Sequence, residues 1–382
     1  MSSMQNQKPV RLGFVGLGAR GAYHLAAALA IEGVEVAALC DVADASLQKA
    51  ARTAAAAGRP APRLYGRGAK DYERLCAEET LDAVICSTPP ETHAAVCLAA
   101  NRNGKHAACE DPLVLTVEDA WALVEAYEKT GKWSALALEP TLLEREGGAN
   151  LTLLNIVRHG LLGEMIHCED GVLRGSRRGG GKSGLAAKFG GNLSPDAPMN
   201  RVMPLMDINR GDRFDLLTSI SSRPAAGGSA ARQDYSATIL HTVNGNLVTL
   251  NCDLNTPCPG GYCRLQGTKG VYTSAPGLKE PMIYIDGVTV KPHSWESAES
   301  YFRKYRHPLL QQAAGGKTPL TWQLLVKALR DGKEPHCDVY DSVTSSAIIA
   351  LTDKSASNRS RPVEFPDFTR GKWKTRKPVN LA

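Results

Sequence analysis

Residues 11–41 read RLGFVGLGARGAYHLAAALAIEGVEVAALCD. Arg11–Val15 is a short apolar run that predicts a buried strand, and it leads directly into Gly16-Leu17-Gly18-Ala19-Arg20-Gly21. Ala22–Ile31 follows as an alanine-rich helix, then Val34–Cys40 as a second apolar strand ending at Asp41. A G-x-G-x-x-G string alone is a weak signal, but between a strand and a helix it has the context its mechanism requires. Gly16 permits the tight turn, Gly18 lets the backbone approach a pyrophosphate, and Gly21 lets helix and strand pack closely. The helix N-terminus then faces the phosphate charge. Asp41 stands about twenty residues beyond Gly21, where an acid binds a ribose 2′-hydroxyl and repels a 2′-phosphate, so NAD is expected rather than NADP. The bland alternative is a glycine-rich turn with a nearby surface aspartate.

The alternation continues. Ser46–Ala57 predicts a helix stopped by Gly58, Pro60 and Pro62; Ala83–Cys86 and His106–Cys109 predict further buried strands; Thr92–Asn101 and Val117–Thr130 predict helices. Strands alternating with helices imply a doubly wound parallel sheet, an α/β Rossmann domain over residues 1–135. Ser87-Thr88-Pro89 follows the third strand at the carboxyl edge, where such folds bind ligands, and His93 lies just beyond; these join the candidate cofactor residues.

The chain has 382 residues, of which 43% are hydrophobic, enough for two cores. No apolar run reaches the roughly 20 residues that span a bilayer, and Met1–Pro9 lacks the apolar region of a signal peptide. A cytoplasmic protein without a membrane partner is expected. The net charge is +6, with much of the surplus at Lys372, Lys374, Arg376 and Lys377. That segment has no nucleic-acid reader motif, so residues 363–382 are read as a solvated basic tail and no nucleic-acid partner is expected. The ten cysteines include no C-x-x-C pair and no zinc spacing; reduced, mostly buried thiols and no metal are expected. Gly181-Lys182-Ser183 imitates the end of a phosphate-binding loop, but Ser176 stands where that motif needs glycine.

Beyond Trp133 the pattern changes. Leu151–His159 predicts a helix ended by Gly160, and Met165–Leu173 a strand. Gly175–Gly191 is a glycine-rich loop. Tyr235–Val243, Leu247–Leu254 and Met282–Val290 alternate like strands, with Asp286-Gly287 as a turn signal, while Leu324–Arg330 and Val343–Asp353 predict helices. Residues 136–362 are thus expected to form an α+β domain with a mainly antiparallel sheet.

The N-terminal fingerprint, Cys40-Asp41-Val42, Ser87-Thr88-Pro89 with His93, and Gly104-Lys105-His106 leading to Glu110-Asp111-Pro112 resemble the glucose–fructose oxidoreductase/inositol dehydrogenase family. Asn209-Arg210-Gly211-Asp212-Arg213-Phe214, Gln266-Gly267-Thr268-Lys269-Gly270, Asp338-Val339-Tyr340-Asp341 and Pro366-Asp367-Phe368-Thr369-Arg370-Gly371 look like its glycoside hydrolase family 109 branch. The resemblance implies a large open sheet in the second domain that often mediates homo-oligomers, and Glu110 among the cofactor contacts. It also implies a chemistry on a small carbohydrate. Hydride leaves the sugar C3, the resulting ketone acidifies the C2 proton, the glycosidic oxygen is expelled, water adds, and the hydride returns. The alternatives are a plain NAD-dependent sugar or cyclitol dehydrogenase, and a catalytically decayed NAD-binding relative.

The sequence also departs from its relatives. The wider family carries Glu-Lys-Pro where this chain has Glu110-Asp111-Pro112, so the lysine near the reacting hydroxyl is replaced by Asp111. The family 109 tyrosine and histidine fall on Ser194 and Ala197, and a further tyrosine on Val172. The candidate catalytic residues are therefore Glu139, which matches a family glutamate, Tyr262, His307, Asp196 and Asp111. Arg174, Asn209, Arg210 and Asp212 are candidate substrate-binding groups, the alternative being ordinary structural pairing.

Overall fold

The opening stretch folds into strand β1 (Val10–Val15), helix α1 (Ala19–Leu29) and strand β2 (Val34–Cys40). The computed structural model describes residues 8–174, 185, 188–222, 235–312 and 318–381. The Gly181-Lys182-Ser183 decoy and most of the glycine-rich loop lie outside the described residues. The chain divides into two units, Met1–Glu139 with Gly315–Val343, and Pro140–Ala314 with Thr344–Ala382.

The first unit continues with α2 (Asp44–Ala56), β3 (Arg63–Tyr65), α3 (Asp71–Glu78), β4 (Ala83–Cys86), α4 (His93–Arg102), β5 (His106–Cys109), α5 (Val117–Thr130) and β6 (Ser134–Ala135). Among the described residues its sheet has six strands in the order β3-β2-β1-β4-β5-β6, all paired in parallel. This is the doubly wound order whose reversal point lies between β1 and β4, where the carboxyl edge opens a crevice for ligands. Strands buried on both faces have no polar side to alternate, which is why β4 and β5 read as unbroken small apolar runs. Helix α5 shows the local logic: the Thr116 hydroxyl caps it by accepting from the Asp119 N–H at 3.0 Å, and Gly131 ends it at φ 67°. The three-residue edge strand β3 and the polar helix α3 carry too little apolar pattern to be read from sequence. A later helix, α10 (Leu320–Asp331), packs on this unit, and its Trp322 stacks on Phe14 with ring centroids 6.4 Å apart.

The second unit contains α6 (Ala149–Arg158), β7 (Met165–Leu173), α7 (Asp196–Leu205), β8 (Phe214–Ser221), β9 (Tyr235–Thr242), β10 (Leu247–Asp253), β11 (Gly260–Gly267), β12 (Gly270–Ser274), β13 (Met282–Ile285), β14 (Glu296–Ser297), α8 (Glu299–Lys304), α9 (Pro308–Gln312) and β15 (Val363–Glu364). Helix α11 (Val339–Ser357) belongs to the first unit through Val343 and to the second from Thr344. Among the described residues the nine strands run β14-β13-β12-β11-β7-β10-β9-β8-β15, and only β7 with β10 pairs in parallel. Alternation sorts the side chains: Cys168, Asp170, Val248, Leu250, Cys263 and Leu265 are buried on one face, while Leu216, Ile220, Ile239 and Leu247 stand exposed on the other.

Two expectations change. The strand read as Met282–Val290 stops at Ile285, because Asp286-Gly287 opens a turn, with Gly287 at φ 70°, and β13 pairs instead with β12 and β14. The basic segment is anchored before it becomes solvated. Val363 and Glu364 pair with β8, Phe365, Phe368 and Thr369 are buried, and only then do Lys372, Lys374 and Lys377 stand exposed.

His106 at the start of β5 is tuned by its surroundings. Burial, helped by Lys132, lowers its pKa to about 4, and its Nδ1 accepts the Trp133 N–H at 3.1 Å. The unfolded ring takes its proton near pH 6.5, whereas the folded ring does so only near pH 4. Stability is therefore full above about pH 6.5 and declines as pH falls through that window, because the unfolded state binds the extra proton. Urea unfolding of His106→Gln is expected to show a flatter decline between pH 7 and 5 than the unsubstituted chain; equal slopes would exclude His106 as its source.

Candidate cofactor and substrate site

The carboxyl edge of the first unit is shaped by its three glycines. Gly16 adopts φ 86°, and its N–H donates to the Cys40 carbonyl at 2.9 Å; a Cβ there would lie 2.6 Å from the Ser87 carbonyl oxygen. A Cβ on Gly21 would fall 1.9 Å from the Gly16 carbonyl oxygen. Gly18 differs: a Cβ would meet nothing within 4 Å. Leu17 and Ala19 complete the turn, and α1 starts there with no side-chain cap and no acid in its first turn. Two glycines are thus required by the protein's own backbone, while the third faces open space at an uncapped helix start. That combination fits a dinucleotide pyrophosphate.

Asp41 braces the turn. One carboxylate oxygen accepts the Leu17 N–H at 2.6 Å and the other the Ala43 N–H at 2.8 Å. Each oxygen has a second lone pair, so the side chain retains capacity for a ribose hydroxyl. Across the crevice, the buried Ser87 Oγ has no hydrogen-bond partner among the described residues, an orphan that a bound ligand would satisfy. The Thr88 hydroxyl accepts from Thr92 at 2.7 Å, and the Pro89 carbonyl accepts the Thr92 N–H at 3.0 Å, which fixes the lip. His93 braces it from below. It is 1% exposed, and its Nε2 and Nδ1 lie 2.7 Å from the Thr88 and Pro112 carbonyls. Both ring nitrogens face backbone carbonyls, so His93 positions the lip rather than touching a dinucleotide.

Glu110 and Arg20 meet at the same edge. Arg20 donates to Glu110 through Nε at 3.0 Å and a terminal nitrogen at 2.7 Å, and His24 Nε2 makes a short hydrogen bond to the same oxygen. Trp322 Nε1 donates to His24 Nδ1 at 3.1 Å, which fixes the tautomer: Nδ1 accepts and Nε2–H points at Glu110. Burial alone would raise the Glu110 pKa, but the bonds from His24 and Arg20 outweigh it, and the carboxyl is held below its ordinary value. Burial would lower the Arg20 pKa; Glu110, and beyond it the charges of Asp111 and Glu139, turn it upward. Glu110 pairs with this guanidinium, and the charges of Asp111 and Glu139 act on it. The Asp111–Pro112 peptide is cis. Sequence reading did not single out His24 or Trp322. The available signal was the i, i+4 spacing of Arg20 and His24 on one helix face.

The remaining candidates all lie in the second unit, where Asn209, Arg210 and Asp212 share one turn closed by the Asn209 N–H on the Asp212 carbonyl at 2.7 Å. Asp196 opens α7, 1% exposed, with Oδ1 accepting from the Ser345 and Ser346 hydroxyls at 2.7 and 2.8 Å. Helix α7 packs on the buried face of the sheet, where Arg201 clamps Asp170 through two 2.7 Å bonds. Tyr262 stands on the opposite face, its ring against Gly171 and its hydroxyl bonded to Asn251 and Glu169. Burial first, then the Glu169 charge, raises its pKa, so it keeps its proton at neutral pH. His307 is buried, its pKa lowered by burial, and its Nδ1 accepts the Leu309 N–H at 3.3 Å. Asp212 is a structural cap: it accepts the Arg213 and Asn244 N–H groups and the Asn246 side chain, closing the β9–β10 hairpin. Asn209, at φ 65°, donates to Thr344; Arg210 is buried; Arg174 is exposed, its N–H on the Asp253 carbonyl.

Residues 10–137 match the oxidoreductase family with an NAD-binding Rossmann fold, and residues 182–375 match the C-terminal domain of glycosyl hydrolase 109. An alpha-N-acetylgalactosaminidase from Shewanella oneidensis is 35% identical over 98% of this chain and 88% of its own. The chain belongs to glycosyl hydrolase family 109. Its fold is shared with the WlbA dehydrogenase of Bordetella pertussis, solved with NADH and UDP-GlcNAcA, at TM-score 0.68 and 17% identity over 94% of this chain and 98% of that one. A levoglucosan dehydrogenase solved with NADH and levoglucosan gives TM-score 0.69 and 16% identity over 94% and 99%. This family 109 member is an NAD-dependent enzyme of the glycosidase and oxidoreductase type, and the glycine turn, Asp41 and the orphaned Ser87 hydroxyl fit that cofactor.

The glycines separate binding from folding. Gly18→Ala is expected to leave the thermal midpoint unchanged while weakening NAD+ at least tenfold, about 1.4 kcal/mol, because its methyl group intrudes only on the ligand. Gly21→Ala is expected to lower the midpoint itself, since the methyl group meets the Gly16 carbonyl. Calorimetric titration beside thermal melting checks both; loss of stability in Gly18→Ala would refute the open flank.

Proposed function

We propose that this family 109 chain is a redox-neutral glycosidase that acts on a glycoside by transient oxidation at the sugar C3, with Asp111 and Glu139 handling the proton transfers. Bound NAD+ supplies a hydride acceptor for the C3 hydrogen and later the hydride that restores it. The observation that carries the reading is the Arg20–Glu110 ion pair at the carboxyl edge, whose guanidinium also feels the charges of Asp111 and Glu139. Asp111 holds the position of the wider family's lysine and accepts the C3 hydroxyl proton. Glu139 accepts the C2 proton, which the adjacent ketone makes acidic enough for a carboxylate. The C1 glycosidic oxygen leaves with its electron pair and takes the proton held by Asp111. Water then adds its hydroxyl to C1 and gives a proton to Asp111, while Glu139 returns the proton to C2 and Asp111 reprotonates the restored C3 hydroxyl. Arg20 stays charged and fixes the orientation of Glu110. An N-acetylhexosaminide is the first glycoside to test, given the name of the Shewanella oneidensis relative.

Aryl glycosides incubated with the protein and no added cofactor are expected to release aglycone without accumulating NADH. Asp111→Asn is expected to lower kcat by roughly 10² to 10⁴ with NAD+ affinity preserved. Net NADH formation would instead establish a plain dehydrogenase, and no turnover across a broad panel would refute the proposal.

We also propose a cytoplasmic homo-oligomer built on the open sheet face. Ile220 is 62% and Ile239 50% exposed there, flanked by Leu216 and Leu247, an apolar patch that water penalises. Ile220→Glu with Ile239→Glu is expected to yield monomers in sedimentation velocity with unchanged thermal stability. An assembly state unaffected by both charges would remove this face from the interface.

A further inference from the structure

Directly behind the cofactor lip lies a cluster whose sulfurs neither the fold nor the proposed reaction uses. Cys86 ends β4 and Cys109 ends β5, and the two are register partners in the parallel sheet, so their side chains emerge on the same face. Helix α4 covers that face and presents His93 and Cys97, four residues apart on one helical stripe. All four are sealed from solvent: Cys86 and Cys97 are 0% exposed, Cys109 and His93 1%. The donor atoms of Cys86, His93 and Cys109 all lie within 4.8 Å of one another, and Cys97 follows His93 by one turn of α4.

We propose that Cys86, Cys97, Cys109 and His93 form a binding site for one thiophilic divalent metal ion of the zinc and cadmium class. Three sulfurs and one imidazole are the donor set such ions take in closed, four-coordinate sites. The ligands come from two strand ends and one helix, so no short sequence spacing announces them.

Loading replaces the thiol protons with the metal, and one His93 nitrogen turns from its carbonyl to ligate, so affinity rises with pH.

The test uses the full chain carrying Cys258→Ser, which removes the one exposed thiol among the described residues. Incubation with Cd2+ is expected to give one ion per chain and an ultraviolet thiolate-to-metal charge-transfer band. Cys97→Ala in that background keeps a small apolar side chain and is expected to weaken Cd2+ by roughly 100-fold or more, since even an outer-shell loss costs 10- to 100-fold. X-ray absorption on the cadmium-loaded chain with Cys97 intact, expected to count three sulfur neighbours, decides the matter should that variant misfold. No charge-transfer band, unchanged affinity in a folded Cys97→Ala, or an oxygen-dominated shell would overturn the site.

Discussion

The cofactor edge depends on a contact that leaves no room for a side chain. The Gly16 carbonyl oxygen occupies the place where a Cβ on Gly21 would be, 1.9 Å away, and the Ser87 carbonyl stands 2.6 Å from where one on Gly16 would be. Because the chain can close this tightly only with glycine at both positions, β1, α1 and the lip after β4 are pinned to one another. Asp41 tightens the same knot by drawing the Leu17 N–H toward β2. The uncapped start of α1 then faces the crevice, and everything proposed about the chemistry follows from what that helix start can hold.

The Rossmann half was legible because its signals are local. β2, β4, β5 and α5 begin and end where the sequence places them, since continuous apolar runs, Thr116 and Gly131 are boundary signals carried by the residues themselves. The second unit was harder to read. Strand β8 is FDLLTSIS, whose alternation is broken by a register shift between Phe214 and Leu216. Strand β11 begins and ends in glycine and places Arg264 at its centre. Helix α7 contains Pro198 and Pro204 and buries all ten residues, so it has no polar face to betray a period of 3.6.

The same division runs through the candidate site. Backbone roles could be read because they depend on residue type at a fixed spacing. Side-chain roles depend on which distant residue arrives. Asp212 looks like a sugar ligand until Asn244 and Asn246 occupy both its oxygens. Tyr262 looks like a catalytic phenol until the pleat turns it to the face opposite Asp170 and α7. His93 looks like a cofactor contact until both nitrogens find carbonyls. In each case the chemistry was available and the neighbours had already claimed it.

The charge at the reacting edge is the sharpest departure from the wider family. A lysine there combines a cation with a transferable proton. In this chain the two properties are separated. Arg20 brings the cation from α1, and its pKa, raised further by Glu110, removes it from proton transfer at any working pH. Trp322 and His24 fix the carboxylate that receives it, so the guanidinium has a defined partner. In the proposed reaction the proton work falls to carboxylates, which suits a C–H bond made acidic by a neighbouring ketone better than an ammonium that must first lose its own proton. That reaction asks of this edge a fixed cation and carboxylates where the family tyrosine and histidine are replaced.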